Sequence, residues 1–156
     1  AMPNPHLVAF VDAVDEAELV ALGDWCEGAP ALLPARGNVS FVEVRGSEAA
    51  PALFVRTYER GVGLTNSCGS AMAASTYAAA RTGRIPFDRE ARVFNRGGMV
   101  RASATPTAEV TIAGNATFEW DGRIGFDPAT GALDGLAGMA QRPAEVAAWE
   151  DMLASL

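Results

Sequence analysis

The sequence predicts an α+β protein in which a mostly antiparallel sheet is wrapped around a central buried helix. No charged side chain occurs between Arg60 and Arg81, and from Cys68 onward this segment consists mainly of Ala, Ser, Met and Tyr. A helix that is apolar on all sides is normally a buried one. Several short strand-like segments precede and follow this helix, an order of elements typical of α+β folds.

Before the central helix, the pattern predicts one strand, one helix and two further strands. The apolar run at residues 6–11 predicts a buried strand. Residues 12–27 predict an amphipathic helix, because acids occupy the first turn and apolar residues recur at helical spacing as far as Cys26. The alternating residues at 38–44 predict a second strand, and residues 52–59, rich in strand-forming residues, predict a third.

After the central helix, glycine and proline divide the chain into short segments. Gly83 is placed to end the helix, since glycine is favoured just past a helix C-terminus. The pattern then predicts strands at residues 91–94, 99–103, 108–112 and 117–124. Residues 126–138 predict a loop, and Pro143 begins a tail helix. We interpret the apolar face of this helix as docked on its own domain, with a partner-binding face as the alternative.

Composition excludes several classes of function. The chain has 156 residues, 49% hydrophobic and 20% charged, as expected of a globular domain. Its net charge of −7 disfavours nucleic acid and anionic membranes as partners. Two cysteines and one histidine provide neither a disulfide framework nor a metal site, so a reducing cytoplasm is the expected location.

The start of the central helix has the features of an anion-binding site. Gly61 and Gly63 permit a tight turn, and Cys68, Gly69 and Ser70 fall in the first turn, where backbone N–H groups have no helical partner. These donors and the helix dipole bind anions such as carboxylates, and the same field lowers the pKa of a cysteine. Two interpretations of Cys68 remain open: a thiolate base, or a small buried hydrophobic residue.

Three short motifs resemble diaminopimelate epimerases. The sequence ERGVG at residues 59–63, followed by Thr65 and by CGSA at residues 68–71, resembles the E-R-G-x-G-E-T-x-A-C-G-T-G-A segment of that family. NPH at residues 4–6 resembles the family's G-N-P-H, and GNVSFV at residues 37–42 resembles its V-N-V-E-F-V. Three motifs in the same order are far more specific than one.

The resemblance covers the chain from Met2 to about Ile124 and corresponds to the second half of the family pattern alone. It implies one half of a diaminopimelate-epimerase-like two-domain fold over residues 2–124. Residues 125–156, a loop and the tail helix, lie outside the pattern. We therefore expect a truncated chain that is inactive by itself, with a first-half domain or a second copy of the chain as its partner.

The resemblance also implies a chemistry. Members of this family use no cofactor and convert LL- to meso-diaminopimelate, in lysine biosynthesis, by proton exchange between two cysteines on opposite sides of the α-carbon. Cys68 matches the second-half cysteine, and Glu59 is the other expected catalytic residue, which holds an amino group or tunes a thiol. The expected substrate-binding residues are Asn4, Asn38, Arg60, Gly69 and Ser70, and no metal is expected.

Other positions leave alternatives open. Leu64 stands where the family has Glu, so a related racemase with another amino acid substrate is one alternative. A second is a non-catalytic assembly domain that self-associates through a surface the missing half would cover. Cys26 continues the apolar stripe of its helix, and His6 lies at a strand start, so both are interpreted as structural.

Overall fold

The computed structural model describes residues 2, 4–114 and 116–156, and two units divide the chain, residues 1–115 and 116–156. The elements of the first unit are β1 (His6–Phe10), α1 (Glu16–Glu27), β2 (Asn38–Gly46), β3 (Pro51–Glu59), β4 (Gly63–Thr65), α2 (Gly69–Arg81), β5 (Ala91–Asn95), β6 (Gly98–Ala104) and β7 (Val110–Gly114). Those of the second unit are β8 (Trp120–Arg123), β9 (Ala137–Gln141) and α3 (Pro143–Ala154).

The described strands of the first unit form one seven-stranded mixed sheet in the order β1-β2-β3-β5-β6-β7, with β4 paired to β3. The pairs β1–β2 and β3–β5 are parallel, and the pairs β2–β3, β3–β4, β5–β6 and β6–β7 are antiparallel. The predicted α+β class is therefore confirmed, with a sheet of mixed direction. Sequence patterning did not predict β4, which lies where we expected only a glycine turn.

The central strands β2 and β3 are buried because a hydrophobic cluster forms between the sheet and each of the two helices. Leu19 and Cys26 of α1 pack with Val39 and Phe41 of β2. The other cluster joins α2 to the sheet through residues that include Met72, Ala79, Val42, Leu53 and Val55. Successive side chains of a strand point to opposite faces, so the alternation in β2 supplies both clusters.

The first helix begins later than the sequence pattern predicted. We expected it to start at residue 12, whereas α1 starts at Glu16. The reason is the Asp15 side chain, which accepts hydrogen bonds from the backbone N–H groups of Ala17 at 2.8 Å and Glu18 at 3.1 Å. Asp15 is therefore the N-cap, and Asp12 lies outside the helix.

The second helix, α2, has Cys68 as its N-cap and Thr82 as its C-cap. Gly83 follows with a φ of 72°, a conformation that favours glycine and ends the helix as predicted. One face of α2 is buried, whereas Ala74, Tyr77 and Ala78 are partly exposed. The expectation that the sheet surrounds α2 on every side therefore stays a prediction.

The second unit consists of the β8–β9 hairpin and α3. β9 begins within the segment that we predicted to be a loop, and Phe126 forms an isolated antiparallel bridge with Leu133. None of the described residues from 116 to 156 is buried. None of the three described helices has the length and apolar content that a membrane crossing requires.

A close contact between α1 and β3 gives a test of this packing. A Cβ atom added at Gly23 would overlap the ring of Tyr58. Gly23→Ala should therefore lower the free energy of unfolding by about 1–3 kcal/mol, as overpacking does, although alanine is favoured in a helix by about 1 kcal/mol. Urea titration measures the change in the free energy of unfolding. In a Tyr58→Ala background, Gly23→Ala should destabilise the protein less. A stabilising effect of Gly23→Ala would contradict this close packing.

Candidate active site

The Cys68 thiol lies at the junction between β4 and α2. Cys68 has an extended backbone, with φ −141° and ψ 103°, and its side chain makes no capping hydrogen bond. The residue is 8% exposed, whereas Gly69 is exposed and Ser70 is partly exposed. A buried thiol therefore adjoins the accessible first turn of a helix, where backbone N–H groups are free to bind an anion.

Asn38, the first residue of β2, contacts the thiol. Its Nδ2 lies 3.8 Å from the Cys68 Sγ, and its Oδ1 accepts a hydrogen bond from the backbone N–H of Arg60 at 3.0 Å. The backbone N–H of Asn38 donates to the carbonyl of Pro5 at 3.0 Å. Asn38 is 2% exposed. These bonds fix the orientation of its amide group.

Glu59 and Arg60 lie where β3 ends. The strand stops at Glu59, and Gly61 has a φ of 76°, so the two neighbouring side chains are not restricted to opposite faces of a regular strand. Glu59 accepts a hydrogen bond from the Thr65 hydroxyl at 2.6 Å. The guanidinium of Arg60 donates to the carbonyl of Ala35 at 3.0 Å.

Asn4 and His6 lie next to Asn38 at the start of β1. His6 pairs with Asn38 in the parallel register of β1 and β2, and its Nε2 is 3.2 Å from the Oδ1 of Asn4. Burial lowers the pKa of His6, and the Glu59 carboxylate opposes that shift. The Nδ1 of His6 is buried and has no hydrogen-bond partner among the described residues.

Asn4 and His6 also line a cavity of about 530 Å³ against α2 and β7. Its other lining residues are Met2, Pro5, Val8, Ala74, Tyr77, Ala78, Ala108 and Val110. Cys68 is not among the lining residues of this cavity.

Burial raises the pKa of the Cys68 thiol above its ordinary value. Hydrogen bonds from the Ser70 hydroxyl, 3.5 Å from Sγ, and from the Ala71 backbone N–H act in the opposite direction, while Glu59 raises the pKa further. Burial is the largest of these effects, so the net shift of the Cys68 pKa is upward, which favours the thiol form over the thiolate. A role of Cys68 as a thiolate base stays a prediction.

The structure brings most of the predicted site residues together. Cys68, Asn38, Ser70 and Glu59 are linked by direct contacts or by the field of the Glu59 carboxylate, and Arg60 joins them through its backbone. Asn4 adjoins the set through His6, and Gly69 follows Cys68 in the chain. In the described part of the chain, no group of three or more His, Cys, Asp or Glu side chains is placed to hold a metal ion.

Two buried polar residues next to the site were not predicted. Arg56 is 4% exposed and donates to the carbonyl of Thr65 at 2.8 Å, and Asn95 is 3% exposed and donates to the hydroxyl of Ser67 at 3.2 Å. Each is a single polar residue within a strand, and such a residue has no spacing pattern by which it could be recognised. The one available signal was polarity at a position flanked by strand-forming residues.

Comparison with known proteins decides the family. The family model described as diaminopimelate epimerase matches residues 1–119. The chain belongs to the diaminopimelate epimerase family. The resemblance noted in the three sequence motifs is therefore confirmed, and all the predicted site residues lie in the matched part.

Curated members of the family give the extent of the match. The diaminopimelate epimerase of Lactiplantibacillus plantarum is 41% identical over 167 residues, covering 100% of this chain and 48% of that protein. That of Clostridium acetobutylicum is 38% identical over 131 residues, covering 81% of this chain and 38% of that protein. The chain thus spans less than half the length of these relatives.

Among solved structures, the chain is similar to the Bacillus anthracis phenazine biosynthesis protein of the PhzF family. The TM-score is 0.49 and the identity 20%, over 71% of this chain and 34% of that one.

The opposing effects on Cys68 give a prediction in two directions. Ser70→Ala removes a hydrogen bond that lowers the pKa of the thiol, so this pKa should rise further. Glu59→Gln keeps an acceptor for Thr65 but removes the negative charge, so the pKa of Cys68 should fall. The measurement is the pH dependence of Cys68 alkylation, followed by mass spectrometry of its peptide. Shifts of the same sign in both variants would contradict this balance.

Proposed function

We propose that this chain supplies one catalytic thiol and part of the substrate site of a cofactor-independent amino acid epimerase that interconverts LL- and meso-diaminopimelate. The observation that supports this best is the position of Cys68. A buried thiol contacts Asn38 and Ser70 and adjoins the first turn of α2, in a segment matched by the family model.

In this proposal Cys68 starts as a thiol and acts as the acid in one direction of the reaction. A thiolate on the opposite side of the substrate takes the α-proton, and the S–H of Cys68 gives its proton to the other face of the α-carbon. The C–H bond formed replaces the one broken, the configuration inverts, and the negative charge moves from the first sulfur to the Cys68 sulfur. The reverse reaction restores both groups.

The remaining residues bind the amino acid and stabilise the developing charge. The backbone N–H groups of Gly69 and Ser70 hold the carboxylate next to the α-carbon. The Arg60 guanidinium, a planar donor suited to carboxylates, and the amides of Asn4 and Asn38 bind the other polar groups of the substrate. Glu59 holds an amino group. Because an α-proton beside a carboxylate is a very weak acid, catalysis requires this positioning in a closed site.

The second thiol must come from outside this chain. Cys26 is fully buried in the cluster between α1 and β2, and desolvation raises the pKa of its thiol. It is therefore unsuited to proton exchange with a bound substrate. A first-half domain is the proposed source, in a reducing compartment such as the cytoplasm that keeps both cysteines as thiols.

A second candidate function is self-association without catalysis, and the apolar surface of the second unit favours it. Several large hydrophobic residues there are exposed: Phe118, Trp120, Ile124, Phe126, Leu133, Leu136 and Met139. Exposed apolar residues mark an interaction surface where they form a contiguous patch. Light scattering on the purified chain distinguishes a dimer formed through this surface from a monomer.

The test of the proposed reaction is exchange of the α-proton in heavy water. The chain should not exchange the α-protons of LL- or meso-diaminopimelate by itself, but should do so when mixed with a first-half domain of a family member. Cys68→Ser should abolish this exchange, because the hydroxyl is a far weaker acid. Cys26→Ser is the matched control and should leave most of the exchange intact.

Other outcomes identify the alternatives. Full exchange by the isolated chain would overturn the half-site proposal. Exchange of proline but not of diaminopimelate would identify a related racemase, a substrate change that Leu64 permits. No exchange in the mixture, together with a stable dimer of the chain, would favour the assembly function.

A further inference from the structure

Three donors from outside the loop that leads into Cys68 bind successive residues of that loop. This segment, residues 65–68, is called the thiol loop here. Arg56 Nη1 donates to the carbonyl of Thr65 at 2.8 Å, the backbone N–H of Gly97 donates to the carbonyl of Asn66 at 2.9 Å, and Asn95 Nδ2 donates to the hydroxyl of Ser67 at 3.2 Å.

Sheet topology explains why these donors meet the loop. β3 pairs with β5 at Ala52–Phe54, and with β4 at Thr57–Glu59. The end of β5 and the end of β4 therefore lie next to one another along β3. The turn from β5 to β6, which contains Gly97, consequently lies against the chain segment that leaves β4 for α2.

The donors are themselves fixed. The guanidinium of Arg56 is buried and forms an ion pair of 2.7 Å with Glu16 at the start of α1. The Oδ1 of Asn95 accepts the backbone N–H of Gly97 at 3.0 Å, and its Nδ2 also lies 3.0 Å from the sulfur of Met72. Arg56 and Asn95 are both buried, and a buried polar group that loses its partner is left unsatisfied, so these bonds hold the two donors in place.

Space at the turn is equally restricted. A Cβ atom added at Gly97 would lie 3.1 Å from the carbonyl oxygen of Asn66 and 3.2 Å from the Cβ of Ser67. The turn therefore packs its backbone directly against the thiol loop, and a larger residue there would push the loop away.

We propose that Arg56, Asn95 and Gly97 are positioning residues that hold the thiol loop and thereby set the place of the Cys68 sulfur at the first turn of α2. Cys68 is the N-cap of α2, and the three residues that precede it are held by donors from β3, from β5 and from the turn between β5 and β6. An effect of these three residues on catalysis rests on the proposed epimerase function, but their effect on the position of the thiol does not.

The experiment is alkylation of the two cysteines in the full chain with iodoacetamide, each followed by mass spectrometry of its own peptide. Cys26 is the internal reference, since it is fully buried in the other hydrophobic cluster. Asn95→Ala should accelerate the alkylation of Cys68 by about tenfold through local opening of the thiol loop, while Cys26 stays unchanged.

The pH profile gives a second readout. As the loosened thiol gains solvent, its alkylation midpoint should move down toward the value of an ordinary cysteine, because burial no longer disfavours the thiolate. Glu59 of β3 is the charged group that acts on this thiol, and its contacting neighbours Asn38 of β2 and Ser70 of α2 are neutral. A purely structural role of Asn95 would leave this midpoint in place.

Two further variants keep the test decisive. Val93→Ala, in the same strand, removes a buried core side chain without touching the thiol loop, so it should affect both cysteines through global opening. Gly97→Ala disturbs the thiol loop by steric overlap, whereas Asn95→Ala removes a hydrogen bond. Both variants should therefore accelerate the alkylation of Cys68 selectively. Equal acceleration of both cysteines in the Asn95 and Gly97 variants, or none at Cys68, would overturn the proposal.

These results are separable from the test of the reaction. Selective loosening of Cys68 in a chain that supports no proton exchange would uphold the positioning role and reject the epimerase proposal. If proton exchange is lost in Cys68→Ser, but the Asn95 and Gly97 variants accelerate alkylation of both cysteines equally, the epimerase proposal is upheld and the positioning role is rejected.

Discussion

Antiparallel pairing of β2 and β3 is the constraint on which the candidate site depends. In this register Val39 lies opposite Tyr58, so Asn38 at the start of one strand comes close to Glu59 and Arg60 at the end of the other. Hydrophobic clusters toward α1 and α2 hold the pair in place. A slip by one residue would turn the alternating side chains of a strand to the wrong faces, and the polar ends would no longer meet beside Cys68.

Much of this arrangement could be predicted from the sequence, because it follows from periodicity and from punctuation by glycine. Period-two alternation predicted β2, a run of strand-forming residues predicted β3, and Gly83 predicted the end of α2. The start of α1 was missed because acids occur on both sides of the capping Asp15. The short strand β4 was missed because its pairing with β3 depends on tertiary structure, which a three-residue segment does not encode locally.

The site was predictable where it has motifs and unpredictable where it depends on competition between forces. Cys68, Gly69 and Ser70 were recognisable as a helix start, yet the direction of the Cys68 pKa shift required knowledge of burial. The field of a helix N-terminus and the desolvation of a thiol have opposite effects, and sequence shows only the first. Arg56 and Asn95 escaped notice for a related reason, since their partners Thr65 and Ser67 are distant in the chain.

The burial of Cys68 also affects how long the protein stays undamaged. Peroxides oxidise thiolates that are accessible to solvent, and progress beyond sulfenic acid is largely irreversible. Cys68 is 8% exposed, and burial raises the pKa of its thiol, so both conditions are disfavoured. The burial of Cys68 therefore also protects this residue from oxidative damage.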